Sequence, residues 1–160
     1  MIAVSIIISI PDGATELRGV FDPSQTVLDV LETCAHGPNA LRTPHYRHSC
    51  HHGSCGTCGA IINGKEALMC LTRIADLCEQ GSQECRIELK PIHGASSIAS
   101  LSVAPHPKLA YLPQQASYLR HVIDTSSELF KLDRCIECGL CLSACPVDEP
   151  FMGPAALAAM

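Results

Sequence analysis

The spacing of the cysteines constrains this chain more than any other feature of its sequence. Eleven of the 160 residues are cysteine, and most of them fall into two groups with short, fixed spacings. The first group is Cys50, Cys55 and Cys58, spaced C-x4-C-x2-C, followed by Cys70. The second group is Cys135, Cys138, Cys141 and Cys145, spaced C-x2-C-x2-C-x3-C, with Pro146 directly after it. A chain this rich in cysteine uses its thiols for disulfides or for metals, and the compartment usually decides between them.

The N-terminal residues 1–10 are apolar, but they have no basic segment before them and no small-residue cleavage site after them. They run directly into Pro11-Asp12-Gly13, which is a turn signal, so we predict a buried strand and not a signal peptide. The stretch is also too short to cross a bilayer. We therefore expect reducing surroundings in which thiolates bind metal, and disulfides are the weaker alternative.

Composition supports a metal-stabilised fold and argues against nucleic-acid binding. Aromatic residues make up 4% of the chain and Trp is absent, which leaves few large side chains for a deep core. The formal net charge is −5, with no cluster of Lys and Arg. Because nucleic-acid binding needs a basic face, we expect no nucleic-acid partner.

The first cysteine group has the spacing of a plant-type [2Fe–2S] site. Three thiolates converge from one tight loop, in which Gly53, Gly56 and Gly59 bring the backbone close to sulfur at little steric cost. Cys70 then approaches from a neighbouring strand to complete the second iron. A zinc site is the alternative, but such sites usually carry two C-x2-C pairs, whereas this group has one.

Four histidines crowd the same loop, namely His45, His48, His51 and His52. A Rieske centre would use two histidines in place of two cysteines. Because all four cysteine positions are filled, we expect these histidines to be solvent-facing loop residues or partner contacts.

The second group has the spacing of a bacterial ferredoxin. Cys135, Cys138 and Cys141 would hold a [4Fe–4S] cubane, while Cys145 would ligate a different cluster. The cubane then lacks a fourth ligand, and the cluster that Cys145 would bind has no other ligand nearby in the sequence. Cys34 is predicted to be an inert buried thiol on a helix face, and Cys78 and Cys85 are weak candidate donors. We expect residues beyond 160, or a partner chain, to supply the missing thiolates.

Hydrophobic patterns predict an α+β fold with two consecutive domains. Residues 2–10 and 16–22 are predicted to form a hairpin around Pro11-Asp12-Gly13. A second hairpin is predicted from Gly59 into an Asn63-Gly64 turn and back through Leu68-Met69-Cys70, and a final strand over residues 86–92. A helix is predicted after Thr26, with Val27, Val30, Leu31 and Cys34 on its apolar face. Thr26 and Asp29 have capping-box-like spacing. Residues 93–113 resemble a linker or an extended connection, and a helical pattern follows through Phe130. We predict an N-terminal domain over 1–100 and a helical domain over 101–160.

These segments resemble the iron–sulfur subunit of succinate dehydrogenase and fumarate reductase. The resemblance lies in residues 26–31, the loop 49–58, residues 62–65 and 68–72 of the hairpin, and residues 135–141, 144–146 and 151–157. The resemblance implies an N-terminal β-grasp domain of the plant-type [2Fe–2S] ferredoxin kind, followed by an all-α helical ferredoxin-like domain that is incomplete here.

The same resemblance implies three clusters and an electron-transfer role. Cys50, Cys55, Cys58 and Cys70 would hold [2Fe–2S], Cys135, Cys138 and Cys141 would hold [4Fe–4S], and Cys145 would belong to [3Fe–4S] or a second cubane. The chain would relay single electrons between a flavoprotein (FAD) subunit, where succinate and fumarate interconvert, and a quinone or other acceptor. It would have no catalytic residue or substrate site of its own. The implied location is cytoplasmic, with any membrane attachment made through partner subunits such as a membrane anchor.

Other functions share the same cysteine pattern. One alternative is the iron–sulfur electron-transfer subunit of a thiol- or heterodisulfide-linked reductase, with a disulfide-reductase-type partner. The same subunit could instead serve another flavin dehydrogenase. Another is a stand-alone ferredoxin-like shuttle, which the incomplete cubane disfavours. A structural zinc module is the last, and a colourless purified protein would support it.

Overall fold

The computed structural model describes residues 1–10, 13–38, 40–79, 81–82, 84–111, 135–147 and 151–158. Within these residues lie seven strands: β1 (Ile2–Ile10), β2 (Gly13–Phe21), β3 (Gly59–Ile62), β4 (Lys65–Leu68), β5 (Glu84–Lys90), β6 (Ser97–Ala99) and β7 (Ser102–Val103). The same residues contain four helices: α1 (Val27–Ala35), α2 (Ile74–Leu77), α3 (Leu140–Ser143) and α4 (Pro154–Ala158). Two short 3-10 segments cover Ala40–Arg42 and Pro107–Tyr111.

Five of the strands form one mixed sheet in the order β2-β1-β5-β3-β4. Strands β1 and β5 pair in parallel, and the other neighbours pair antiparallel. The predicted Asn-Gly turn joins β3 to β4, with φ of 48° at Asn63 and 80° at Gly64. Positive φ at both central residues is what a tight hairpin turn requires. Because β1 also pairs antiparallel with β2, both hairpins predicted from the sequence are confirmed.

The core of the sheet domain consists of side chains from α1 packed against side chains from the sheet. Strand β5 alternates strictly, with Cys85, Ile87 and Leu89 buried between more exposed neighbours. The predicted apolar face of α1 belongs to the same core cluster, which includes Val27, Leu28, Val30, Leu31 and Cys34. Because period-2 and period-3.6 patterns specify which side of an element is buried, these positions could be assigned without the structure.

A capping box begins α1, as the sequence predicted. The Thr26 hydroxyl accepts a hydrogen bond from the Asp29 amide at 3.2 Å, and the Asp29 carboxylate accepts one from the Thr26 amide at 2.8 Å. Both bonds satisfy amides that the first helical turn leaves without a partner.

We expect Thr26→Ala to lower the free energy of unfolding by about 1 kcal/mol, because the substitution removes an N-cap acceptor. Denaturant unfolding measures this change. Thr33→Ala is the matched control on the same helix, since Thr33 is exposed and only donates to the Asp29 carbonyl. An equal loss in both variants would contradict the assigned role of Thr26.

The chain beyond β5 is more ordered than the predicted linker. Strands β6 and β7 form an antiparallel hairpin, and β7 lies beyond the predicted domain boundary at residue 100. The described helices in the second part, α3 and α4, are short, so an all-α second domain is not confirmed. The predicted helix from 114 to Phe130 falls outside the described residues. No helix among the residues described is long and apolar enough to span a membrane.

Candidate metal centre

The loop that carries the first cysteine group, residues 50–58, leads directly into β3. At its end, the Cys58 carbonyl accepts a hydrogen bond from the Met69 amide at 3.1 Å. This bond extends the β3–β4 pairing by one step and places Cys70 beside Cys58. Both thiols are buried, with 3% and 5% of their surface exposed, whereas Cys50 and Cys55 are half-buried.

Backbone amides in this loop are directed at sulfur. The amides of Ser54 and Cys55 each lie 3.3 Å from Cys50 Sγ. A backbone hydrogen bond from His52 is the largest cause that lowers the pKa of Cys50 to about 5, and the Ser54 and Cys55 side chains contribute next. Donors aimed at a thiolate are also the groups that stabilise an anionic iron–sulfur cluster, so the loop fits such a group.

The pKa of Cys58 is shifted in the opposite direction from that of Cys50. Burial raises its pKa to about 11, and the neighbouring Cys70 and Cys55 thiols raise it further, against a lowering by the Cys70 backbone. The first cysteine group therefore has a thiolate at its outer end and a protonated thiol at its buried end at neutral pH when no metal is bound.

In the cluster-free chain at neutral pH, we expect iodoacetamide to modify Cys50 much faster than Cys58. The reason is that the thiolate is the nucleophile, and a lowered pKa keeps Cys50 ionised above about pH 5. Anaerobic labelling followed by peptide mass spectrometry measures both rates in one sample. Equal rates at the two positions would contradict the assigned environments.

The second cysteine group, residues 135–145, contains two residues in the left-handed backbone conformation. Glu137 has a φ of 54°, and Gly139, which precedes α3, has a φ of 75°. Although Cys141 is exposed overall, burial of its thiol is the largest cause that raises its pKa, and the thiols of Cys138 and Cys135 raise it further. The three cysteines predicted to share a cubane are therefore electrostatic neighbours.

The two cysteine groups are in direct contact. A Cβ added to Gly56 would lie 2.7 Å from Cys138 Cβ, 2.9 Å from Cys138 Cα and 2.9 Å from the Ile136 carbonyl oxygen. Gly59 similarly faces Leu140 at 3.1 Å. Glycine is therefore required here by close approach, whereas the sequence assigned these glycines only to the first loop.

Polar contacts hold the second group against the sheet domain. The Ser143 hydroxyl donates to the Glu66 carboxylate at 3.0 Å and accepts from the His93 amide at 3.0 Å. These bonds hold α3 to β4 and to the segment that follows β5. Sequence reasoning missed Ser143 and Glu66, because neither residue stands in a motif that signals a long-range contact.

The three cysteines outside the two groups have other roles. Cys34 is 4% exposed in the core, and burial raises its pKa, as expected of an inert buried thiol. Cys78 and Cys85 form a disulfide. They are therefore not cluster donors, in keeping with their weak candidacy, but for this pair the disulfide that the sequence analysis disfavoured is the outcome. The remaining eight cysteines, which are those predicted as ligands, are all free thiols.

The four histidines of the first loop are exposed, as predicted. His52 Nε2 lies 2.7 Å from the Ser54 hydroxyl, and His48 and His51 face one another across the loop. In these contacts the histidine rings bond to a hydroxyl group or to each other and not to a cysteine thiol.

Models of two domain families match the chain. The 2Fe-2S iron-sulfur cluster binding domain matches residues 17–105, which is more than half of the chain. The 4Fe-4S binding domain matches residues 128–147. The first match ends close to β7, and the second contains the whole second cysteine group.

Several curated relatives are iron–sulfur subunits of fumarate reductase or succinate dehydrogenase. The fumarate reductase iron-sulfur subunit of Mycobacterium tuberculosis is 38% identical over 129 residues, which cover 71% of this chain and 50% of the relative. The corresponding subunit of Wolinella succinogenes is 34% identical over 68% of this chain and 50% of its own length. The succinate dehydrogenase iron-sulfur subunit of Coxiella burnetii is 34% identical over 74% of this chain and 56% of its own length. The chain thus spans about half the length of the curated relatives it matches.

A solved structure shows the same fold. A chain of the Mycobacterium smegmatis Sdh1 complex in the apo form superposes with a TM-score of 0.73 at 20% sequence identity, over 96% of this chain and 70% of that chain.

Proposed function

Because this chain belongs to the 2Fe-2S iron-sulfur cluster binding domain family and is related to the iron–sulfur subunits of succinate dehydrogenase and fumarate reductase, we propose that it is the electron-relay subunit of such an oxidoreductase. It would pass single electrons between a flavoprotein subunit, where succinate and fumarate interconvert, and a quinone or other acceptor. The chain itself would bind no dicarboxylate.

The residues proposed to hold the clusters are those of the two cysteine groups. Cys50, Cys55, Cys58 and Cys70 would ligate [2Fe–2S], and Cys135, Cys138 and Cys141 would ligate [4Fe–4S]. The amide donors at Cys50 and the buried pair Cys58 and Cys70 support the first assignment. When bound, such clusters supply one-electron redox chemistry at potentials set by charge, hydrogen bonds to sulfur and exposure.

The contact of Gly56 with Cys138 is the observation that carries this proposal. A shuttle with two independent centres has no need to bring the two cysteine groups together. A relay does need it, because electrons must cross from one group to the other inside the protein. The bonds of Ser143 to Glu66 and His93 fix this approach.

Cys145 is proposed to serve a third cluster, of the [3Fe–4S] or cubane type. Its thiol donates to the Val147 carbonyl at 3.7 Å. The fourth ligand of the first cubane and the companions of Cys145 would come from outside this sequence, since Cys34 is in the core and Cys78 is bonded to Cys85. These ligands would lie in a continuation of the same polypeptide or in a partner chain.

The proposed partners follow from the relay role. A FAD-containing flavoprotein would supply or accept electrons at one end of the chain of clusters. A membrane anchor or another acceptor subunit would complete the other end, which would place the assembly at the cytoplasmic face of a membrane.

The test is low-temperature EPR of the native complex that contains this chain, recorded before and after addition of succinate. Full reduction with dithionite gives the reference intensity of each signal. We expect succinate to produce the [2Fe–2S] signal, because the flavoprotein would deliver electrons to the nearest cluster.

If dithionite alone reduces the clusters, the dicarboxylate donor is wrong and the chain serves another flavin or thiol-linked enzyme. If no iron–sulfur signal appears with either reductant in the purified complex, the relay itself is wrong.

A further inference from the structure

Three side chains outside the cysteine groups converge beside the first loop. Glu32, on the second half of α1, places Oε1 3.3 Å from His48 Nδ1 and 3.5 Å from His51 Nε2. The two ring nitrogens are 2.9 Å apart. Among the described residues, no other set of three His, Cys, Asp or Glu side chains brings its donor atoms this close together.

A hydrogen bond explains only part of this arrangement. One proton between His48 Nδ1 and His51 Nε2 accounts for the shortest side of the triangle. The other two sides join both ring nitrogens to one carboxylate oxygen of Glu32, a geometry that suits an ion pair and equally suits a cation shared by all three groups.

The triangle has the dimensions of a tetrahedral zinc site. Bonds of about 2.0–2.1 Å to histidine nitrogen and carboxylate oxygen place adjacent ligand atoms about 3.3 Å apart. The three measured separations, from 2.9 to 3.5 Å, bracket that spacing. Two histidines and one carboxylate are a recurrent zinc ligand set, and three protein ligands leave the fourth position to water.

The surrounding structure holds the two histidine rings in place. The His48 ring lies 5.4 Å from the Tyr46 ring, centroid to centroid, and meets the His51 ring edge-on at 5.1 Å. The Arg47 guanidinium donates to the Val103 carbonyl at 3.1 Å, and the Leu101 amide donates to the His45 carbonyl at 3.0 Å. The hairpin β6–β7 therefore anchors the segment that presents His48.

We propose that Glu32, His48 and His51 bind one divalent ion of the zinc class. The ion would join α1 to the loop that carries the first cysteine group, because His51 directly follows Cys50 in the chain. Its chemistry is distinct from that of the cysteine groups, since its donors are nitrogen and oxygen. The site does not depend on the proposed electron partners.

The test uses tag-free, cluster-loaded protein titrated with Zn²⁺ by isothermal calorimetry, with the iron content measured before and after. We expect one Zn²⁺ per chain, with no loss of iron. Zinc-edge X-ray absorption of the product should show only nitrogen and oxygen neighbours. Glu32→Gln and His48→Ala, which do not flank a cysteine of the group, should each weaken Zn²⁺ binding by at least about tenfold.

His45→Ala is the matched control, because His45 is an exposed histidine of the same segment outside the triangle. It should keep the affinity of the parent protein. Absence of Zn²⁺ binding, equal affinity in the Glu32→Gln and His48→Ala variants, or sulfur neighbours accompanied by iron loss would each overturn the proposal. Circular dichroism confirms that the variants compared are folded.

Discussion

Cys70→Ala is expected to abolish the [2Fe–2S] EPR signal while leaving any signal from the second cysteine group in place. Cys70 is the one proposed [2Fe–2S] ligand that does not come from the loop 50–58, and it approaches Cys58 through the β3–β4 pairing. Without its thiolate the second iron loses a ligand, and the remaining three cysteines cannot close the site. Iron and sulfide analysis together with EPR of the dithionite-reduced protein measures the loss.

Cys34→Ala provides the matched control for that experiment. Cys34 and Cys70 are equally buried, at 4% and 5% exposure, so the two substitutions remove a sulfur atom from similarly packed surroundings. Each should cost on the order of 1 kcal/mol in packing, but only Cys70→Ala should lose the signal. Retention of the full signal in Cys70→Ala would show that the proposed ligand set is wrong.

Gly56→Ala is expected to separate the two cysteine groups and to slow reduction of the second group by electrons that enter at the first. The new methyl group would lie 2.7–2.9 Å from atoms of Cys138 and Ile136, most of them backbone atoms that cannot move aside. Overpacking of this kind costs about 1–3 kcal/mol, and a φ of 69° adds strain for any residue with a Cβ. The loss of stability is measured by thermal unfolding, and the slowed transfer by freeze-quench EPR.

Gly64→Ala is the control that separates the effect of backbone strain from the effect of contact between the two cysteine groups. Gly64 has a φ of 80°, and a Cβ added there would meet nothing within 4 Å. The control variant should therefore lose stability through strain alone and keep the rate of transfer between the groups. Equal rates in Gly56→Ala and Gly64→Ala would contradict the direct passage of electrons between the two cysteine groups.

The elements of the sheet domain were predictable because their signals are local. Alternation along residues 86–92 predicted a strand, which the structure has as β5 over 84–90. The apolar spacing at Val27, Val30 and Leu31 identified a helix with one buried face. The Thr26–Asp29 capping box and the Asn63-Gly64 turn marked where elements begin and end. The hairpin β6–β7 was missed, because its strands are three and two residues long and carry no repeated pattern.

The sequence by itself determined the two cysteine groups and the chemistry that their spacings favour. Within a tight loop, the distance between two thiols depends on few backbone angles, so the order of residues nearly specifies it. Only the tertiary structure decided that Gly56 meets Cys138, that Cys78 pairs with Cys85, and that Glu32 faces two histidines of a distant segment. The first and last of these contacts depend on how the sheet, α1 and the later loops pack together, and the disulfide depends on how the chain turns between α2 and β5. No short sequence pattern encodes these arrangements.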